Sequence, residues 1–378
     1  MLLAAVRLVC LSLTFVCVGV SIAGAPAPAL RMFSYGPSGD LMVAQPIFRM
    51  RVAPEGNAQI TDAVMEVNGN PVPSTFSQQS GRLEFRPSGP LPPGPVEVTA
   101  KIVIDRKSMF QKSWTATVRT DAAREYLEPS AAAIESLNVV NELRRATGLD
   151  PVITDRCLSH VAQLHSQYLA QNKRTGHGQE DSGIGFFGKN LRERLNLLGW
   201  NEAASEAVVH NLPSPRESVE AAFAAPYHRL PFLAPGPIEA GAGMSGESMN
   251  LIFGHSSHAG VVLSPSVDQK QVPSSWFNSE RPNPLRFFES AGSIVGYPIV
   301  ITEFGHKEAL KVVEAKLTTG SESIDIFVVD GSKDESLKAT AFVIPARPLR
   351  KGTEYNVLVR TARASGATEL RTWSFTTK

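Results

Sequence analysis

Cysteine is scarce. Of 378 residues only Cys10, Cys17 and Cys157 carry a thiol, and the first two lie in an N-terminal apolar segment. With that segment removed, Cys157 stands alone and no intrachain disulfide can form. Stability must then come from packed cores, even at an exported address. An excess of one charge is also missing. The chain has 37 Lys and Arg against 36 Asp and Glu, so nothing points to a nucleic acid or another polyanion. Past the N-terminus no apolar run is long enough to cross a bilayer. The chain lacks a His-Glu-x-x-His helix and a Gly-x-Ser-x-Gly elbow. Two common hydrolase signatures are therefore absent.

Residues 1–25 have the form of a secretory signal. Arg7 is the basic end, Val9 to Ala23 the apolar run, and Ala23-Gly24-Ala25 the small-residue cleavage site. Pro26 follows that cut, which makes Ala27 an alternative. An uncleaved anchor is the competing reading, though the run is short for a span. Phe15-Val16-Cys17 lacks the small residues that precede a lipid-anchored cysteine. The expected location is secreted or periplasmic. Cys157 falls at the start of a helix and is expected to be packed there.

The 27 prolines and 29 glycines fit turn-rich β modules. In the N-terminal flank, Ile47–Val52 and Ala63–Val67 alternate with period two, as half-buried strands do. Leu83–Phe85, Val96–Ile104 and Trp114–Val118 complete a small β-sandwich over 30–120. The C-terminal flank repeats its ending. Pro87, Pro90, Leu91 and Gly94 match Pro345, Pro348, Leu349 and Gly352 at identical spacings, and Trp114 has its counterpart in Trp373. A proline-rich turn feeds a long strand, and a last strand carries a core Trp. Strands at Val312–Leu317, Ile324–Val329, Thr340–Ile344, Tyr355–Arg360 and Thr372–Thr376 are expected over 293–378. A proline-rich connector is expected over 257–292, and His255-x-x-His258 beside it reads as a solvated hinge.

Residues 127–256 form the domain with a candidate site. Ile134, Leu137, Val140 and Leu143 have helical spacing, with Ser130 or Asn138 as the starting residue, and Gly148 ends that helix. Thr154 or Asp155 caps a second helix bearing Leu158, Val161, Tyr168 and Leu169. Its His160 and His165 are five apart and share no face for a metal. His177 then sits between Gly176 and Gly178, with little local packing to explain it. A short helix follows over Leu191–Leu198. Another leads into Ala225-Pro226-Tyr227-His228-Arg229, and Gly241–Met244 and Met249–Phe253 read as paired strands. Helices on a small sheet give an α+β, α-β-α sandwich.

These motifs resemble the CAP superfamily of cysteine-rich secretory, venom-antigen and pathogenesis-related proteins. Asn141-x-x-Arg144-x-x-x-Gly148-Leu149, Ala162-x-x-His165-Ser166, Arg194 with Gly199-Trp200, the Pro226–Arg229 turn and Gly241-x-Gly243 occur in the family's order. The flanks resemble bacterial immunoglobulin-like domains, which serve as spacers. The resemblance implies an open cleft with two histidines and one or two glutamates. Residue by residue, His177 and His228 are the histidines and Glu206 the glutamate, although Ala207 stands where the family has Asn. The second glutamate has no clear counterpart, with Glu217 or Glu220 as the nearest options. His177, Glu206 and His228 are thus candidate ligands for zinc or another divalent metal, and equally candidate catalytic groups for proton transfer. The expected function is a non-enzymatic exported binding module for a metal, an apolar ligand or a cell-surface component. The alternatives are a metal-assisted peptidase or other hydrolase using the same cleft, and a structural envelope protein.

Overall fold

A computed structural model describes residues 30–306 and 308–378. The expected signal over 1–25 lies outside the described residues. Among the described residues no helix is long and apolar enough to cross a membrane, which says nothing of a β-barrel.

The N-terminal sandwich has nine strands. They are β1 (Leu30–Gly36), β2 (Gly39–Val43), β3 (Phe48–Pro54), β4 (Ile60–Val67), β5 (Asn70–Val72), β6 (Ser74–Ser77), β7 (Arg82–Phe85), β8 (Gly94–Ile104) and β9 (Ser108–Ala123). One sheet runs β1-β3-β7-β6 and the other β2-β9-β8-β4-β5. Phe48, Met50, Leu83, Val98, Ile102 and Trp114 fill the space between them. The alternation in β3 and β8 sends these side chains inward and Arg49, Arg51, Glu97 and Thr99 outward.

The central domain contains α1 (Ala131–Ala146), β10 (Ile153–Thr154), α2 (Arg156–Asn172), α3 (Leu191–Leu197), β11 (Ala204–His210), α4 (Pro215–Ala224), α5 (Pro226–Arg229), β12 (Glu239–Ser245) and β13 (Ser248–Gly254). Its sheet, β10-β12-β13-β11, lies between α1 with α4 on one face and α2 with α3 on the other. This is the expected α-β-α sandwich. Ser130 caps α1, its Oγ accepting from the Ala133 amide at 3.2 Å. Asp155, not Thr154, caps α2 through the Leu158 amide at 3.0 Å. Ile134 departs from the pattern and is exposed, and the buried stripe of α1 runs through Ala133, Leu137 and Val140 instead. The glycines of Gly241-x-Gly243 let α2 lie directly on β12. A Cβ at Gly241 would come within 2.2 Å of the Leu158 carbonyl carbon, and one at Gly243 within 2.2 Å of the Gln163 nitrogen.

The C-terminal sandwich has strands β14 (Gly260–Ser264), β15 (Gln269–Val272), β16 (Ser275–Phe277), β17 (Ile294–Gly296), β18 (Ile299–Phe304), β19 (Lys311–Thr319), β20 (Glu322–Ser323), β21 (Ile326–Val329), β22 (Thr340–Pro345), β23 (Glu354–Ala362) and β24 (Thr368–Thr377). Its sheets are β14-β18-β22-β21 and β15-β24-β23-β19-β20, with β16 and β17 as a separate pair. Strand for strand this is the topology of the N-terminal sandwich. Even the parallel contact of β2 with β9 returns as β15 with β24. Trp114 Nε1 donates to the Pro37 carbonyl at 2.9 Å, and Trp373 Nε1 to the Pro265 carbonyl at 3.1 Å. The repeat therefore covers whole sandwiches, not only their endings.

The stretch expected as a connector over 257–292 has a different character. It holds β14 and β15, which are the first two strands of this sandwich, so the sandwich does not begin at 293. These strands are short and pair with partners far along the chain, which leaves little local signal. Residues 273–298 then form an insertion between β15 and β18. The corresponding gap in the N-terminal sandwich is residues 44–47. The insertion carries the β16–β17 hairpin back toward the central domain.

Candidate functional site

The cleft histidines come from separate elements. His177 lies on the loop between α2 and α3, and His228 lies on α5. Their rings are nearly parallel, 22° apart, with centroids separated by 6.4 Å. The two expected histidines therefore do meet. His177 is 53% exposed and His228 19%.

Each ring is held from behind by a buried glutamate. His177 Nδ1 donates to Glu206 Oε2 at 2.8 Å. Glu206 lies on β11, and its other oxygen accepts from Arg194 at 2.8 Å and from Asn250 Nδ2 at 2.7 Å. Burial raises this carboxyl, but the His177 hydrogen bond and the Arg194 guanidinium outweigh it and hold it below the ordinary carboxylate range. Arg194 also donates to the His177 carbonyl at 2.9 Å, fixing the loop and the acid together.

His228 has a second acid, Glu280, three residues past β16 in the segment that joins it to β17. Glu280 Oε1 accepts from His228 Nδ1 at 2.6 Å and from the His228 amide at 2.8 Å. Its side chain is fully buried, and Oε2 has no hydrogen-bond partner among the described residues. Glu217 and Glu220 take no part. Glu217 bonds Ser214 at the start of α4, and Glu220 faces Arg216 at 3.3 Å in solvent. The second acid could not be found by local reading, because it lies 52 residues from His228 in a proline-rich stretch without periodicity.

With a carboxylate accepting at each Nδ1, both rings carry a proton there, and in the neutral form of each ring Nε2 is the nitrogen with the free lone pair. The His165 ring is set the other way. Gln179 Nε2 donates to its Nδ1 at 2.9 Å, because the Gln179 carbonyl oxygen is taken by the Phe187 amide at 3.0 Å. His165 Nε2 then donates to the Gly176 carbonyl at 3.3 Å. Burial, aided by Arg194, lowers His165 to about 4, so it stays neutral. From the other side, the Gly176 amide donates to His210 Nε2 at 3.0 Å. Gly176 has φ +90°, a left-handed conformation suited to glycine. Its peptide groups are thus anchored by two imidazoles, buried His165 and half-buried His210, immediately before His177. The expected structural role of His165 fits these contacts, and His160 is buried as well.

The other motif arginines bind backbone. Arg144 donates to the carbonyls of Asp150, Phe232, Ala234 and Gly236. Arg229 donates to those of Phe223, Ala224 and Pro298. Both guanidiniums are fully buried and satisfied by carbonyls without a carboxylate. Cys157 is buried in the packing beneath Val43, Tyr126 and Leu198, and burial pushes its thiol up.

The model of the CAP family, the cysteine-rich secretory protein family, matches residues 137–245, so this part of the chain is a CAP domain. An extracellular protein containing a SCP domain from Bacillus anthracis str. Ames is among the similar solved structures. It is 13% identical, with 61% of this chain and 87% of that chain covered and a TM-score of 0.29. A cysteine-rich secretory protein from Staphylococcus aureus subsp. aureus Mu50 is 14% identical, with 60% and 86% covered and a TM-score of 0.26. CopC from Methylosinus trichosporium OB3b is 14% identical, covering 24% of this chain and 93% of its own, with a TM-score of 0.20. Scores this low carry no functional statement. No curated protein matches the chain.

Proposed function

We propose that this is an exported binding protein whose CAP cleft presents the Nε2 atoms of His177 and His228 to a ligand. One observation carries the reading. Each imidazole has its Nδ1 on a buried glutamate, and the two rings lie face to face 6.4 Å apart. A carboxylate at the rear nitrogen fixes the ring and raises the basicity of the front one, as at many metal-binding histidines.

A divalent ion is the first ligand to consider, and the donors fit a weakly held one. Among the described residues no group of three or more His, Cys, Asp or Glu is arranged to hold a metal ion. His177 and His228 would be the protein's two ligands, and Glu206 and Glu280 their positioning groups. A closed four-ligand zinc site does not fit this set. The hydrolase reading gains no support. Glu206 is spent on three partners, and among the described residues no hydroxyl or thiol is hydrogen-bonded to either cleft ring.

The test is a calorimetric zinc titration of the mature full chain at neutral pH. Weak, saturable binding is expected, and it should vanish in the His177→Ala/His228→Ala double variant. Absence of binding in the wild type, or equal binding in the variant, defeats the metal reading. Apolar and cell-surface ligands would then be tried on the same pair of proteins.

A further inference from the structure

The Tyr227-His228-Arg229 turn belongs to the CAP domain by sequence, yet each of its side chains makes a contact with the C-terminal sandwich or its insertion. Tyr227 Oη donates to Asp334 on the β21–β22 loop, and its ring packs edge-on against Phe342 of β22, centroids 5.0 Å apart. Arg286, from the insertion, donates to the same Asp334 oxygen at 2.7 Å and to the Tyr227 hydroxyl at 3.1 Å. His228 is held through both its ring and its backbone amide by Glu280. Arg229 reaches the Pro298 carbonyl at 2.8 Å. The N-terminal sandwich, built on the same topology, has only residues 44–47 where the insertion lies, and so has no equivalent arm.

We infer that the cleft is a two-domain site, in which Glu280 of the C-terminal sandwich is the positioning residue that holds His228 with Nε2 toward the ligand. The sandwich is then a working part of the site and not a spacer. The chemistry is simple. A carboxylate oxygen can only accept, so a ring bonded to it through Nδ1 must keep its proton there. Among the described residues Glu280 is the hydrogen-bond acceptor at His228 Nδ1, and without it the ring is a mixture of two tautomers. The inference rests on the cleft being the binding site, but its test needs no ligand.

The test uses the full chain labelled with nitrogen-15 at histidine, with the His228 ring signals assigned from their loss in His228→Ala. In the wild type His228 should show the Nδ1–H tautomer. Glu280→Met fills a similar volume without an acceptor, and should lose that signature and give a tautomer mixture. Glu280→Gln supplies an amide oxygen and should retain it. His177, held by Glu206, should not change in either variant and serves as the control for folding. Retention of the signature in Glu280→Met, or identical behaviour of the Met and Gln variants, overturns the inference. So does an equal disturbance of His177. A tautomer result as expected alongside a wild type that binds no zinc would leave the two-domain site standing and remove the metal reading alone.

Discussion

The two sandwiches are copies in topology and opposites in attachment. Each turns the outer face of its four-stranded sheet toward the CAP domain. In the N-terminal copy the cross-strand pair on that face is Arg49 with Glu84. In the C-terminal copy the pair at the same register is Val300 with Phe342. Arg49 bridges Glu84 at 3.0 Å and Asp155 of the CAP domain at 3.3 Å, and its guanidinium lies 4.9 Å from the centre of the Trp200 ring. Arg82 binds Glu202 at 2.8 Å and also Glu239. Val300, Phe342, Ile344 and Val329 instead join Val219, Phe223, Phe232 and Leu251 in one continuous core. One frame can therefore dock through buried ion pairs or through apolar packing. Apolar packing extends the core across the joint, so the C-terminal sandwich can place side chains in the cleft with the accuracy of a domain interior.

The largest effect should come from cutting the apolar joint. Phe342→Ala should cost about 3–5 kcal/mol, as large-to-small core changes of Phe do, and should also disturb the His228 ring signals. Arg49→Met should cost less, about 2–3 kcal/mol, because Glu84 is partly exposed and keeps Arg86. It should leave His228 untouched. Denaturant unfolding compared with the histidine spectra decides this. Equal costs, or a His228 response to Arg49→Met, would break the contrast between the two joints.

Acid should act on the N-terminal joint first. His160 lies under the linker that leaves that joint, 6.2 Å from Tyr126 between ring centres, and burial lowers it to about 4. Its unfolded value is near 6.5. As pH falls, the unfolded chain takes up the proton before the folded one. Stability therefore drops between about 6.5 and 4, by at most roughly 1.4 kcal/mol per pH unit for this group. Glu84 and Glu239 follow at lower pH. Burial raises each carboxyl, but Arg49 and Arg86 in one case and Arg82 in the other hold it below the ordinary range. Their contribution is complete above the unfolded value near 4.5 and fades as pH falls through the folded one. Hydrogen exchange should show the amides of 124–130 and β3 losing protection before those of β22. Simultaneous loss would mean that the charged joint is not the weaker one.

The smallest effect is on Cys157, which adjoins the N-terminal joint. It lines a cavity of about 370 Å³ with Arg49, Arg86, Tyr126 and Asp155, and its own side chain is buried. Alkylation in the native state should be slow and should require opening. Arg49→Met should speed it by more than about tenfold, since about 1.4 kcal/mol of opening free energy is a factor of ten. Phe342→Ala should speed it less. The reverse order would place Cys157 under the wrong joint.

Much of this contrast is legible in the residues. Arg49-Met50-Arg51 and Arg82-Leu83-Glu84-Phe85 alternate, as strands with one wet or charged face do. Ile299–Ile301 and Ala341–Ile344 are apolar without a break, as strands buried on both faces must be. Pro345, Pro348 and Gly352 repeat Pro87, Pro90 and Gly94, which exposed the duplication. His177 stood out between two glycines, and the order of the family motifs brought Glu206 and His228 to it. Strands β14 and β15 were not legible, being short and paired with β18 and β24 far along the chain.

The sequence by itself determined the helices, the α-β-α and β-sandwich layers, the duplication and three of the four cleft groups. The layers and the duplication follow from periodicity and turn chemistry, which act within a few residues, and the three cleft groups from the resemblance of the motifs to the CAP family. Tertiary structure alone decided that the fourth group is Glu280, that it belongs to a different domain from the histidine it holds, and which ring nitrogen each histidine presents. An acid 52 residues away on an irregular insertion has no local reason to be buried. It is buried because Phe342, Val300 and Leu337 complete a core that brings the insertion against α5, where the His228 amide and ring supply two donors to one of its carboxylate oxygens.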